Sequence, residues 1–187
     1  KVYHTIEGGA ICYHNEELGR ELYKLRDFGI KDAETIDGVG SNAKMNEFVA
    51  AMGLCTLRHV DGEIAKRKAV YECYIENLSN VEGLQLPPVQ KDVQSNYAYF
   101  PIIIDEKKFG ATRNEVFAKL AENNIHARKY FYPLTNAFDA YHGKFDPNAT
   151  PIALHLSKRV LTIPMFADLP LDDVKRICVT ILNCRNK

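Results

Sequence analysis

Apolar residues in the first half of the chain recur every three or four positions, which is the spacing of an amphipathic α-helix. The pattern predicts a strand at residues 10–14, a helix at 16–26, a loop at 30–41, and one long helix or two helices joined near Gly62 at 44–78. Asn15, which two glutamates follow, is the expected N-cap of the first helix. The loop has no periodicity, and loops of this length often carry function.

In the second half of the chain the apolar spacing alternates between strand-like and helical. The expected elements are a strand at residues 96–104, a helix opened by a capping box at Thr112 and Glu115, a short strand at 125–130, a strand at 160–163, and a last helix that starts at Asp172. Residues 134–158 are expected to form loops and short helical turns. This order indicates an α/β fold with a small mixed sheet backed by helices.

A change in composition at residues 79–95 marks an expected boundary between two lobes, because glycine and two consecutive prolines interrupt the chain there. We therefore divide the sequence into segments 1–44, 45–80 and 81–187. The middle segment is expected to be a long connecting helix or helix pair, and the last a small α/β domain.

The composition argues against several functional classes. Lysine plus arginine and aspartate plus glutamate both number 24, so the net charge predicts neither a nucleic acid nor an anionic membrane as a partner. The longest apolar runs fall far short of the ~20 residues that span a bilayer. The six histidines lack zinc-site spacing, so no metal site is expected. The five cysteines form no CxxC motif and are odd in number, which predicts free thiols and a cytoplasmic location.

Three blocks of sequence resemble a known family. Lys1 stands shortly before Glu7-Gly8-Gly9 and a run of strand-like residues. The second block, residues 38–54, begins Gly-Val-Gly-Ser-Asn-Ala-Lys-Met, and the third, residues 128–134, reads Arg-Lys-Tyr-Phe-Tyr-Pro-Leu. In this order they resemble the DegT/DnrJ/EryC1/StrS family of nucleotide-sugar aminotransferases, which use pyridoxal 5'-phosphate (PLP).

The resemblance implies both a fold and a place within it. The chain would be the C-terminal half of a fold-type-I PLP-dependent transferase, beginning at the lysine that binds the cofactor. Segment 1–44 would then be the end of the large PLP-binding domain. The family's acidic partner for the pyridine nitrogen and its aromatic residue stacked on the PLP ring would precede Lys1, so the chain alone is expected to be inactive.

The resemblance assigns catalysis to Lys1. A primary amine condenses with the aldehyde of PLP, and once an amino donor has displaced it, the freed amine can transfer protons as a general acid and base. Taken without the other blocks, Lys1 would be an ordinary exposed lysine. In this family a histidine at the position accompanies dehydratase chemistry, so a lysine favours transamination.

Asn42 precedes a helix that is expected to start near Lys44, where its amide could cap the helix or donate to a phosphate. The resemblance implies the second role, with Asn42 reaching across a homodimer interface to the PLP phosphate of the other subunit. Lys44 occupies a basic position in the same block. It could assist phosphate or substrate binding, or it could be a surface lysine.

Aromatic and basic residues alternate in the third block, where Arg128 and Lys129 precede Tyr130 and Tyr132. Such a combination can stack on a base or sugar and neutralise a diphosphate. A half-buried strand with ordinary aromatic alternation is the other interpretation. The resemblance implies that Arg128, Tyr130 and Tyr132 bind a nucleotide-linked sugar.

The function implied by the resemblance is amino transfer, with glutamate as the expected donor, to a keto group of a nucleotide-linked deoxysugar in lipopolysaccharide or other glycoconjugate biosynthesis. Two other classes stay open at this point. A PLP-dependent sugar dehydratase or epimerising relative would share the fold. A non-catalytic carbohydrate-binding or assembly module would explain the aromatic and basic residues without PLP.

Overall fold

The computed structural model describes residues 2–185 of the chain. These residues form two compact units that divide between Asp61 and Gly62. The division falls inside the predicted connecting segment 45–80 rather than at residues 79–95. The boundaries 1–44, 45–80 and 81–187 stay predictions.

In the first unit, helix α1 (Glu16–Arg26) begins where the sequence predicts. The side chain of Asn15 caps it, accepting hydrogen bonds from the backbone N–H groups of Glu17 at 2.8 Å and Leu18 at 3.2 Å. The predicted loop at 30–41 is confirmed, with one isolated bridge between Ile30 and Ile36.

The predicted strand at residues 10–14 is wrong, because these residues pair with no strand in the described part of the chain. Tyr13 packs against α1 instead. A Cβ added at Gly19 would lie 2.3 Å from the Tyr13 ring, so the glycine allows the helix and the ring to approach. A strand requires a partner for its backbone groups, and residues 10–14 contact a helix face.

The long helical pattern resolves into two helices, α2 (Glu47–Leu57) and α3 (Val60–Leu78). They are interrupted at Arg58 and His59, so the two-helix alternative is confirmed, with its joint three residues before Gly62, which itself lies within α3. Asn46 caps α2 by accepting a 3.0 Å hydrogen bond from the Val49 N–H. The helix therefore starts three residues later than the position near Lys44 that the sequence suggested.

The second unit contains a three-stranded sheet of order β1 (Leu84–Gln85), β2 (Phe100–Ile104) and β3 (Val160–Ile163). Both pairings are antiparallel, so the predicted mixed sheet is wrong. The predicted strand at 125–130 is reduced to a single bridge, in which Arg128 and Thr162 exchange backbone hydrogen bonds of 2.8 and 2.7 Å.

The helices of the second unit are α4 (Glu106–Phe109), α5 (Arg113–Glu122), α6 (Pro151–Ser157) and α7 (Leu171–Leu182), with single 3-10 turns at Thr135–Ala137, Asp139–Tyr141 and Pro147–Ala149. The predicted capping box of α5 is confirmed. Glu115 accepts the Thr112 N–H at 2.6 Å, and its own N–H donates to the Thr112 hydroxyl at 3.2 Å.

Every buried apolar side chain of the described residues belongs to the second unit. The C-terminal half of α3 contributes Val70, Cys73, Tyr74 and Leu78 to the same core as strands β2 and β3. In the first unit, by contrast, the only buried residues among those described are glycines. Across the described residues, no helix combines the length and apolarity needed to cross a membrane.

This contrast predicts the outcome of limited proteolysis on the chain of residues 1–187. We expect trypsin to cut first at the exposed basic residues before residue 45, because local opening costs little where few apolar side chains are buried. Residues from about 62 onward should persist as a protected product, identified by mass spectrometry. Equal protection of residues 1–45 in a monomer would contradict this expectation.

Candidate functional site

The segment that follows Lys1 packs on helix α2. The Tyr3 hydroxyl donates to the Gly53 carbonyl at 3.4 Å, and the Thr56 hydroxyl donates to the His4 carbonyl at 3.0 Å. A Cβ added at Gly8 would lie 2.1 Å from the Thr5 hydroxyl oxygen, so a larger residue there would force neighbouring side chains to move. Lys1 itself lies outside the described residues.

Asn42 does not cap a helix, because Asn46 performs that function for α2. Asn42 instead forms an isolated antiparallel bridge with Asp27. Its side chain is exposed, and no described residue hydrogen-bonds to its amide. The capping interpretation is therefore wrong, and the amide is available to a group outside the described chain.

Lys44 has local partners. Its Nζ lies 2.5 Å from Oδ1 of Asp27 and 4.5 Å from the centroid of the Phe28 ring. These contacts fix Lys44 beside the bridge that holds Asn42. Such contacts are typical of a surface lysine. The part of Lys44 in phosphate or substrate binding stays a prediction.

A cleft of about 930 Å³ opens in the first unit between α1, residues 9–13 and the chain on either side of Asn42. Ser41 and Arg26 are among the residues that line it, and the Arg26 guanidinium carbon lies 4.7 Å from the Tyr23 ring centroid. No carboxylate lines the cleft among the described residues. With the Asn42 amide next to Ser41, the nearby donors are a hydroxyl, a guanidinium and an amide, a set that fits the phosphate of PLP.

The second unit carries the aromatic–basic segment, which we define as residues 128–132. The Arg128 guanidinium hydrogen-bonds to the Tyr130 hydroxyl, and this bond raises the pKa of Arg128. The rings of Tyr130 and Phe131 stack at 4.7 Å, and Tyr99 meets Tyr130 edge-on at 6.1 Å. Residues 130–132 form no strand, so the half-buried strand interpretation is wrong.

The three predicted binding residues of the segment do not all contact one another. Arg128 and Tyr130 bond to each other, whereas Tyr132 lies against Arg113, whose guanidinium carbon is 5.1 Å from the ring centroid. Sequence reasoning missed both Arg113 and Tyr99. A signal for Arg113 exists, because a basic residue at the first position of a helix opposes the helix dipole and so needs another reason to be there.

The described residues contain no cluster of metal ligands, and Cys178 is one of two buried cysteines. Among residues 2–185, no group of three or more histidine, cysteine, aspartate or glutamate side chains is arranged to hold a metal ion. Burial raises the pKa of the Cys178 thiol to about 12, so it stays protonated and is neither a ligand nor a nucleophile.

Comparisons with known proteins identify the family. The sequence profile of the DegT/DnrJ/EryC1/StrS aminotransferase family matches residues 1–182. A dTDP-4-amino-4,6-dideoxy-D-glucose transaminase of Escherichia coli is 37% identical over 180 residues, which cover 95% of this chain and 48% of that protein. A dTDP-3-amino-3,4,6-trideoxy-alpha-D-glucose transaminase of Streptomyces venezuelae is 24% identical over 172 residues, covering 91% of this chain and 44% of that protein.

The fold is also found in solved structures. A crystal structure of DesI in the presence of its TDP-sugar product superposes with a TM-score of 0.89 at 29% identity, covering 98% of this chain and 47% of that one. The chain thus spans about half the length of the curated relatives it matches. Its α/β fold corresponds to about half of such an enzyme. The chain belongs to the DegT/DnrJ/EryC1/StrS aminotransferase family, whose members depend on PLP.

Proposed function

We propose that the intact protein transfers an amino group, with glutamate as donor, to C4 of a dTDP-linked 4-keto-6-deoxysugar. The observation that supports C4 is sequence identity. The chain is 37% identical to a transaminase named for a dTDP-linked 4-amino sugar, and 24% identical to one named for a 3-amino sugar. The product would serve polysaccharide or glycoconjugate synthesis. The five free thiols support a reducing, cytoplasmic location.

We further propose that the chain is the C-terminal half of the enzyme. The position of Lys1 before Glu7-Gly8-Gly9 supports this assignment, as does the order of the three sequence blocks. Two hydrogen bonds, from the Tyr3 hydroxyl to Gly53 and from the Thr56 hydroxyl to His4, attach the segment after Lys1 to α2. This attachment supports a defined position for the chain that follows the catalytic lysine.

When bound, PLP supplies an electron sink that makes the α-carbon proton of the amino donor acidic. In this proposal the Lys1 amine holds the cofactor and moves that proton. The Asn42 amide, with the Ser41 hydroxyl and the Arg26 guanidinium near it, is suited to the phosphate of the cofactor that a second copy of the chain holds. Lys44 pairs with Asp27 at 2.5 Å and would thereby stabilise the backbone bridge between Asp27 and Asn42. Its amine would also add positive charge near the substrate.

The site would be completed by a second copy of the chain, with Asn42 serving the cofactor of its partner. Helix α2, which follows Asn42, supports this proposal because it is apolar on several sides yet exposed. Phe48 is 86% exposed, Leu54 65% and Leu57 59%. A helix that is apolar all round is normally buried, and burial between two copies would bring α2 and Asn42 to the interface together.

Asn42→Ala should raise the dissociation constant for PLP by about ten- to a hundredfold, because a hydrogen bond to a charged phosphate contributes about 1.5–3 kcal/mol. The thermal unfolding midpoint of the protein without cofactor should not change. Asn46→Ala is the matched control, since removing the α2 cap should lower stability by about 1 kcal/mol and leave PLP affinity intact. Unchanged PLP binding in Asn42→Ala would contradict the phosphate role.

The nucleotide-linked sugar would bind the aromatic–basic segment. The exposed Arg128 could neutralise a diphosphate, and the rings of Tyr130 and Tyr132 could stack on the base or the sugar. Phe131, 72% exposed and stacked on Tyr130, extends the same aromatic surface.

The test is an assay of the intact protein with PLP, glutamate and the dTDP-linked 4-keto-6-deoxysugar, with the product identified by mass and NMR. We expect a 4-amino sugar and equimolar 2-oxoglutarate. Loss of a sugar hydroxyl or inversion of a ring carbon, without consumption of glutamate, would instead favour the dehydratase or epimerising class. Sugar binding without any turnover would favour the binding module.

A further inference from the structure

Arg113 is a buried charge without an acidic partner. Only 5% of its surface is exposed, and no carboxylate of the described chain comes within 4.0 Å of its guanidinium. Burying an ion costs several kcal/mol unless other groups compensate. The desolvation lowers the pKa of Arg113, the expected consequence of removing a cation from water.

The compensation comes from two backbone carbonyls, one aromatic ring and the side-chain amide oxygen of Asn114, which accepts a 3.0 Å hydrogen bond from Nε of Arg113. One guanidinium nitrogen donates to the carbonyl of Ser157 at 3.2 Å and to that of Val160 at 3.1 Å. The guanidinium carbon lies 5.1 Å from the centroid of the Tyr132 ring. Arg113 therefore connects the end of α6 and the start of β3 to a ring that is itself 53% exposed.

Strand β3 thus holds the aromatic–basic segment at both ends. At the first end, Arg128 exchanges two backbone hydrogen bonds with Thr162. At the other end, Arg113 links Tyr132 to the Val160 carbonyl of β3. An apolar side chain at position 113 could fill the same space without the cost of a buried charge, so the charge needs a reason beyond packing.

We propose that Arg113 is a positioning residue for nucleotide-sugar binding, which holds the Tyr132 ring so that the aromatic–basic segment keeps its binding geometry. This inference rests on the proposed function, because it assumes that the segment binds the nucleotide-linked sugar. Arg113 need not touch the ligand. It acts through Tyr132, whose exposed surface is free to contact a base or a sugar.

The first test measures the ring without any ligand. In the intact protein labelled with fluorotyrosine, the ¹⁹F signal of Tyr132 is assigned by its loss in Tyr132→Phe. Arg113→Gln, which removes the charge but keeps a donor, should shift and broaden that signal, and Arg113→Lys should do so less. An unshifted signal in Arg113→Gln, or in Arg113→Lys if the glutamine variant does not fold, would overturn the proposal.

The second test measures binding of dTDP by calorimetry. Arg113→Gln should weaken binding about five- to tenfold, because the cation–π contact that holds the Tyr132 ring is lost. In a Tyr132→Leu background the same change should weaken binding less than twofold. Equal losses in both backgrounds would overturn the proposal, since Arg113 would then not act through Tyr132.

Arg176→Gln is the control, because Arg176 also donates to a backbone carbonyl, that of Asn123 at 3.1 Å, but makes no cation–π contact with a ring of the described residues. It should leave both the ¹⁹F signal and dTDP binding unchanged. Wild-type protein that fails to bind dTDP would refute the proposed function, whereas wild-type binding with an insensitive Arg113→Gln would refute only the positioning role. In turnover, Arg113→Gln should raise the KM for the sugar and leave the KM for glutamate unchanged.

Discussion

Substituting Lys1 by alanine should abolish transamination in the intact protein. The alanine side chain has no amine to hold PLP or to move the α-carbon proton of the donor. General acid–base catalysis alone contributes about 10²–10⁴-fold, so we expect kcat to fall roughly a thousandfold or more. The measurement is single-turnover formation of the amino sugar at saturating PLP, glutamate and sugar.

Lys31→Ala provides the control for this experiment. Lys31 is an exposed lysine of the same unit, and its amine lies 4.0 Å from Asp37 in an ion pair open to solvent. Such pairs contribute little, so turnover should match the wild type. A Lys1→Ala protein that retains more than about a tenth of the wild-type rate would rule out Lys1 as the catalytic amine.

Phe100→Ala should cause a large loss of stability in the second unit. Phe100 is fully buried in the central strand β2, and its ring packs against Tyr74 at 4.8 Å and Tyr71 at 5.1 Å. Truncating such a side chain leaves a cavity and typically costs about 3–5 kcal/mol. Urea unfolding followed by circular dichroism should show this loss in the free energy of unfolding.

Phe131→Ala is the matched control, since it removes the same side chain from a position that is 72% exposed. Its effect on the free energy of unfolding should stay within about 0.5 kcal/mol. If the two variants unfolded at the same urea concentration, the core assigned to β2 and α3 would be wrong.

Most of the successful predictions came from short sequence patterns within a single helix. The Asn15 cap of α1 and the capping box of α5 involve residues within one helical turn, so the sequence contains all the partners. Helix α7 follows from its apolar spacing in the same way. Each of these elements would be recognisable in any protein that contained the same short segment.

The failed predictions depended on partners far away in the sequence. Residues 10–14 have strand-like spacing, but Tyr13 packs on Gly19 and no neighbouring strand is present among the described residues. The direction of strand pairing also depends on topology, so the sheet could not be identified as antiparallel from spacing alone.

In the candidate site, too, the sequence alone did not reveal which residues contact each other. Asn42 and Asn46 are both plausible caps of α2, and only the hydrogen bond from Val49 to Asn46 distinguishes them. The capping box predicted the roles of Thr112 and Glu115. It gave no sign that the side chain of Arg113, between them, reaches the carbonyls of Ser157 and Val160.

The most direct test of the account is to find the lysine that holds PLP. The intact protein, saturated with PLP, is treated with borohydride, which fixes the cofactor to the amine that carries it, and the modified peptide is identified by mass spectrometry. We predict a single stoichiometric modification, at Lys1. A modification at another lysine, such as Lys44, or none at all, would contradict the central claim.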